Sequence, residues 1–159
     1  MIIRQATAQD APDIAAVWNA EIRDGVSTFN SVEKTLAEVE EMIAQRGAAT
    51  QVAHEGKTFL GFVTYGQFRG GIGYRHSVEH TIYLTPAAKG RGVGRALMAR
   101  IYEVARGEGH HIMVAGIGGE NADAIGFHAA LGFKEVGRMP EVGRKFDRWM
   151  TLVLMQREL

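Results

Sequence analysis

The chain has 159 residues, 46% of them apolar and 23% charged, enough for one folded domain with a sizeable core and too few for two comfortable ones. Eighteen Lys and Arg balance eighteen Asp and Glu, so the formal net charge is zero and the basic excess of a nucleic-acid or membrane-surface binder is missing. Cysteine is absent, which excludes disulfides, thiolate metal sites and a cysteine nucleophile.

The N-terminus, MIIRQATAQD, lacks the apolar core of a signal peptide, and no apolar run has the length of a membrane span, so a cytoplasmic domain over residues 1–159 is expected. Ile2 to Gln5 reads as a short strand, after which Thr7 and Asp10 have the spacing of a capping box. Ala11, Ile14, Ala15, Trp18 and Ile22 recur at helical spacing, which predicts a first helix to about Arg23. Gly25 to Asn30 is a loop. Ser31 is the expected cap of a second helix that carries Leu36, Val39 and Ile43 and stops at Gly47.

The period then shortens to two. TQVAHEGKTFLGFVTYGQF holds two β-rich runs about a Glu55-Gly56-Lys57 turn, a hairpin. After the glycine-rich loop RGGIGYRHS, the run VEHTIYL from Val78 to Leu84 has apolar residues on both faces, as a central strand should, and Pro86 ends it. Lys89 to Ile101, KGRGVGRALMARI, sets Gly90, Gly92 and Gly94 ahead of a helix with Val93, Ala96, Leu97 and Ile101 on one side, closing near Gly107 and Gly109. HIMVAGI is another buried strand, residues 122 to 131 a helix stopped by Gly132 in a left-handed cap, and KEVGRM and RWMTLVLMQ two closing strands. The order β-α-α-β-β-β-α-β-α-β-β, without repeat or linker, predicts one mixed α/β domain, a central mixed sheet flanked by helices.

A strand, a glycine-rich turn and a helix N-terminus together make an anion site, because free N–H groups converge there and the helix dipole adds about half a positive charge. No Walker A run is present. The dinucleotide fingerprint fails too: its last glycine would fall on Arg95 or Leu97, and the acid needed about 20 residues on is missing. What remains is Lys89-x-x-Gly92-x-Gly94 between a strand and a helix.

That loop resembles the pyrophosphate loop of the GNAT superfamily of acetyl-CoA-dependent N-acetyltransferases, Arg/Gln-x-x-Gly-x-Gly/Ala, with Lys89 keeping the positive charge of the first position. The element order is similar to that of the superfamily from end to end, and Asn121 opens a helix that closes in AALGF, Ala129 to Phe133, as its signature does. More narrowly, GQFRGGIGYRHSVEHTIYL and GRMPEVGRKFDRWMTLVLMQ resemble the phosphinothricin and methionine sulfone/sulfoximine acetyltransferases, which acetylate the α-amine of small amino-acid analogues. The resemblance implies acetyl-CoA as cosubstrate. Ile82, Tyr83 and Leu84 would meet its pantetheine arm through their backbone, and Lys89, Gly90, Arg91, Gly92, Val93, Gly94 and Arg95 would cradle its pyrophosphate. Asn121 would hold the pantetheine, or is a plain helix cap. Arg69, Gly70, Gly71, Glu79, His80 and Thr81 would form the acceptor site, although Gly-Gly-Ile-Gly stands where the family commonly has a proline–aromatic pair. A homodimer through the C-terminal strands is implied as well. Lys145, Phe146, Arg148 and Trp149 lie there, or are edge-strand charge and core.

Acetyl transfer needs a held cofactor, a neutral amine, a stabilised carbonyl and a proton for the departing thiolate. With no cysteine and no Gly-x-Ser-x-Gly elbow around Ser27, Ser31 or Ser77, direct attack by the amine is favoured over an acyl-enzyme. Glu79, a carboxylate on the central strand, is the candidate general base; the alternative is a salt bridge with Arg75 or Arg69. His128 stands where many of these enzymes carry a tyrosine that protonates the coenzyme A sulfur, and an imidazole there would donate, pack, or touch the cofactor chain. His80 lines the substrate pocket or is a satisfied core histidine. Arg69 and Arg75 would clamp an acceptor carboxylate, and Phe29 would cover the pocket.

His76-x-x-Glu79-His80 also spells a zinc motif, but on a strand the two histidines lie about 13 Å apart, so no metal is expected. The expectation is therefore N-acetylation of phosphinothricin, methionine sulfoximine or methionine sulfone. Its rivals are a polyamine, aminoglycoside or protein N-terminus as acceptor, and a non-catalytic acyl-CoA-binding module.

Overall fold

A computed structural model describes residues 1–159. Its strands are β1 (Ile2–Gln5), β2 (Thr50–Glu55), β3 (Thr58–Gln67), β4 (Ser77–Leu84), β5 (Ile112–Gly118), β6 (Lys134–Lys145) and β7 (Arg148–Glu158). Its α-helices are α1 (Ala11–Asp24), α2 (Leu36–Arg46), α3 (Val93–Gly107) and α4 (Ala122–Ala130). The strands make one sheet in the order β1-β2-β3-β4-β5-β7-β6, so the apolar run Val78–Leu84 is central, as its composition requires. Every neighbouring pair is antiparallel except β4–β5. A parallel pair needs a crossover, and α3 supplies it.

Helices cover both faces. On one, α3 lays Val93, Leu97, Met98 and Ile101 against Val63, Val78 and Met113. On the other, Ile14 of α1 and Val39 and Ile43 of α2 pack on Val52 and Phe62, with the Trp18 ring 5.3 Å from that of Phe62. Burying each such side chain contributes about 1.5–3 kcal/mol. Helix ends follow local chemistry. Gly132 is left-handed at φ 87°, as expected after α4. The cap of α2 is Thr35, not Ser31: the Thr35 hydroxyl accepts from Glu38 N, and the Glu38 carboxylate accepts from Thr35 N at 2.7 Å.

Two irregularities of the sheet position the site. The β4–β5 ladder runs only through Ser77–Ile112, Val78–Met113 and Glu79–Val114. Beyond that β4 keeps β3 alone and β5 keeps β7 alone, so the sheet splits at its centre. The closing hairpin turns on Phe146 and Asp147, both at positive φ, the turn geometry whose twist matches antiparallel strands. Its β6 arm is longer than KEVGRM alone predicts, because it bulges between Met139 and Gly143 and then resumes pairing.

Asp10, predicted to close a capping box, has a larger role. It accepts the Thr7 N–H at 2.8 Å, two bonds from Arg4 at 2.7 and 2.9 Å, and a contact with His54 at 3.2 Å, tying β1 and β2 to α1. Burial pushes its carboxyl up, but Arg4, Thr7 and His54 outweigh burial and leave the pKa at about 2. A carboxyl whose folded pKa is depressed contributes stability above its unfolded pKa and loses it as pH falls through the folded one. Asp10→Asn should therefore cost about 2 kcal/mol at pH 7. In urea denaturation, the wild-type advantage should vanish as pH drops from about 4 toward 2.

Candidate active site

The central split opens a cavity of about 400 Å³. Glu79 to Leu84 form one wall, Ala115 to Ile117 the other, and Phe127 and His128 of α4 close it with Asn121. Ser27 and Thr28, from the loop after α1, complete the lining. A second cavity of about 390 Å³ shares Ser27, Thr28, Glu79 and Gly116 with the first and adds Phe29, Phe68, Gly118, Leu152 and Leu154. Glu79 thus stands where the two spaces meet.

Its carboxylate has no ion pair and no hydrogen bond in the protein, so it is not the partner of Arg75 or Arg69. The Arg69 guanidinium lies 5.4 Å from the Tyr74 ring, and Arg75 Nε donates to His76. Burial pushes the Glu79 pKa up. The carboxylate rests over Gly116, where even a β-carbon would sit 3.3 Å from its Oε1.

His80 and His128 form a buried pair. Their Nε2 atoms are 2.9 Å apart, while His80 Nδ1 faces Val114 O at 3.0 Å and His128 Nδ1 faces Ala124 O at 2.7 Å. Carbonyls only accept, so both Nδ1 atoms must carry protons, and the contact between the Nε2 atoms needs a third. Two neutral rings hold only two. Burial opposes the extra charge and pulls both imidazoles below their usual pKa, His80 the further because His128 faces it.

Beyond Leu84, the last β4 residue of the first cavity's lining, the chain passes through Gly90 and Gly92, both left-handed at φ 72° and 73°, into α3. A β-carbon at either glycine would meet nothing within 4 Å. The N–H groups of Gly92, Val93, Gly94 and Arg95 donate to no protein acceptor, so the helix N-terminus presents a cradle of bare amides. Gly94 is required for a different reason: Leu84 and Phe127 pack 3.2 Å from where its β-carbon would be. Arg91 pairs with Glu55 at 2.5 Å, whereas Lys89 and Arg95 point to solvent unpaired. Asn121 is the helix cap, accepting from Ala124 N at 3.1 Å, and it also lines the cavity and donates to Ser27 Oγ at 2.8 Å.

The structure therefore brings Glu79, His80, Thr81, Ile82, Tyr83, Leu84, Asn121 and His128 to one cavity. It leaves Arg69, Gly70, Gly71 and Arg75 on an exposed loop that lines neither cavity, drawn back by bonds from Gln67 to the carbonyls of Arg69 and Gly71. Phe29 does line the second cavity. Sequence reading missed Ser27, Thr28, Gly116, Phe127, Leu152 and Leu154. The glycines of HIMVAGIGG, crowded by Glu79 and by the loop, were the available signal. Lys145 is no edge charge: it is buried and donates to the carbonyls of Gly25 and Thr28.

With this geometry in place, the comparison with known proteins is direct. Residues 3–154 match the acetyltransferase (GNAT) domain, and the chain belongs to that family. It is 37% identical to the L-methionine sulfoximine/L-methionine sulfone acetyltransferase of Pseudomonas paraeruginosa, over 99% of this chain and 94% of that protein. It is 32% identical to a phosphinothricin N-acetyltransferase of Alcaligenes faecalis, over 99% and 82%. The structure of yncA from Salmonella typhimurium, an acetyltransferase with its cofactor acetyl-CoA, superposes with a TM-score of 0.94 at 34% identity, covering 100% of this chain and 94% of that one.

The histidine pair makes a stability prediction. His128→Leu leaves the buried Nε2 of His80 without its protein partner and should cost about 1–3 kcal/mol, while adding His80→Leu should recover part of that loss. Urea denaturation of both variants measures it.

Proposed function

We propose that the protein transfers acetyl from acetyl-CoA to the α-amine of a small amino-acid analogue, with methionine sulfoximine, methionine sulfone and phosphinothricin as acceptors. The observation that carries this reading is Glu79: an unpaired carboxylate at the junction of two cavities, one walled by Leu84 and Phe127, on which Gly94 of the bare-amide turn packs, and the other lined in part by Phe29, Phe68, Leu152 and Leu154. The acetyltransferases to which the chain is similar act on those acceptors, which supports the choice.

Bound acetyl-CoA supplies an activated acetyl thioester. The free amides of Gly92 to Arg95 and the nearby charges of Lys89 and Arg95 suit its twin phosphates. The edge of β4 from Ile82 to Leu84, freed from β5, suits the amides of its pantetheine arm. These groups aim the thioester at Glu79, and positioning of this kind supplies much of the rate. An α-amine with a pKa near 8 arrives mostly protonated, and Glu79 takes its proton to expose the lone pair. A carboxylate with a raised pKa is the better base for that task.

We assign the proton for the departing sulfur to His128 acting with His80. The attacking nitrogen sheds a second proton as it is acylated, and the pair, which lacks one proton for its own hydrogen bonds when neutral, passes it on to the thiolate. Arg69 follows Phe68, which lines the second cavity, so an acceptor carboxylate would draw the Arg69–Arg75 loop from its Gln67 bonds toward the cavity, where a guanidinium would meet it. The exposed Val136, Met139, Val142 and Trp149 of β6 and β7 support a homodimer through these strands. No helix is long and apolar enough to cross a membrane.

Glu79→Gln tests the reading. Acetyl-CoA affinity by calorimetry should change by less than about twofold while kcat falls by about 10²–10⁴. The base must be ionised to work, so the acid limb of the wild-type rate profile should lie above the ordinary carboxylate range and disappear in the variant. Glu79 is exposed to solvent, so the substitution should change stability by less than about 0.5 kcal/mol. Unchanged turnover, or turnover confined to polyamines, would refute the assignment. Gly92→Val, which forces a branched residue into left-handed backbone, should weaken acetyl-CoA binding by about tenfold or more.

A further inference from the structure

The loop after α1 carries three of the cavity-lining side chains, Ser27, Thr28 and Phe29, yet forms no helix or strand between Gly25 and Thr35. Its position comes from other elements. Lys145, at the end of β6, is only 5% exposed, and its Nζ donates to Gly25 O at 2.6 Å, Thr28 O at 2.8 Å and, more distantly, Glu21 O at 3.4 Å. No carboxylate touches it. Asn121 Nδ2 donates to Ser27 Oγ at 2.8 Å.

Two glycines complete the grip. A β-carbon on Gly118 would collide with the Val26 carbonyl, and one on Gly143 would collide with the Phe29 ring. Neither glycine has positive φ, so neither answers to a demand of its own backbone. Both are vacant because the loop occupies the space. Gly143 and Lys145 are two apart on β6, so one strand seats the Phe29 ring and anchors the carbonyls before it.

An ammonium buried with no carboxylate in contact, only Glu21 and Asp24 nearby, costs stability, and closing a hairpin does not require one. Its three donors do match backbone carbonyls that an irregular loop leaves open. We propose that Lys145 and Gly143 are positioning residues that clamp the wall Val26–Phe29 and thereby set which acceptor side chains fit beside Glu79. This rests on reading the Phe29-lined cavity as the acceptor side. Ser27 and Thr28 line both cavities, but Phe29 lines only the second and the amide cradle at α3 lies outside the clamped wall, so the clamp acts on the acceptor more than on acetyl-CoA.

The test compares full-length wild type with Lys145→Met and Gly143→Ala. Coenzyme A release gives kcat and KM for alanine, methionine sulfone and phosphinothricin; calorimetry gives acetyl-CoA affinity; hydrogen exchange follows residues 26–29. Both variants should raise the methionine sulfone KM by about tenfold or more, with acetyl-CoA affinity within about twofold of wild type. Gly143→Ala displaces the Phe29 ring into the cavity, so its effect should grow with acceptor length and spare alanine. Lys145→Met should speed exchange at residues 26–29 selectively.

An unchanged acceptor KM in both variants, or acetyl-CoA affinity falling in step with it, would overturn the proposal. If Lys145→Met does not fold, Gly143→Ala decides alone, since it keeps the ammonium. Wild type releasing no coenzyme A with any amino acid would instead overturn the function reading, and exchange at residues 26–29 would then decide the clamp by itself.

Discussion

Everything distinctive in this molecule stems from the parting of two parallel strands. β4 and β5 are bonded at Glu79–Val114 and no further, although each continues for several residues with its other neighbour. Strand edges in the middle of a sheet expose N–H and C=O groups that water or a ligand must satisfy. Past the split, β5 has glycine at 116 and 118, with Gly119 directly after it, and the loop after α1 and the face of α4 come in where a neighbouring strand would lie. The result is a slot with polar backbone on its walls and a carboxylate on its lining, with the N-terminus of α3 packed behind Leu84 and Phe127.

The residues around that slot are poor choices for stability alone. Glu79 lacks a partner, the histidine pair is a proton short of full satisfaction when neutral, and Lys145 hides a charge from water. Each is a cost of the kind that folded proteins tolerate where function requires it. The two apolar layers beside the sheet and the Asp10 network at its opposite end offset them. The cores and the β1–β2 end that hold the fold are thus separated in space from the opened centre that carries the candidate site.

Much of this was legible in the chain. Element types followed from hydrophobic period, and the bare-amide loop from glycines ahead of a helical run. Even the misplaced cap was readable: Ser31 is followed at the third position by Lys34, whereas Thr35 is followed there by Glu38, the acid a capping box needs. The arginines of the β3–β4 loop were harder. Lying next to a site strand in sequence does not decide which way a loop folds, and Gln67 draws this one back. Lys145 reads from the chain as an interface residue or edge charge because its partners are backbone carbonyls, which no residue pattern marks.

The amino-acid sequence by itself determined the local features: a central strand bearing Glu79, a left-handed glycine pair before α3, an asparagine cap on α4. These depend on residues within a turn or two, where side-chain period and φ preference act directly. Only the tertiary structure decided that β7 inserts between β5 and β6, that His80 meets His128 across 48 residues, and that Lys145 reaches Gly25 across 120. Such contacts arise when distant elements compete for the same buried space. Their outcome depends on the packing of the whole chain, and no short stretch of it contains the answer.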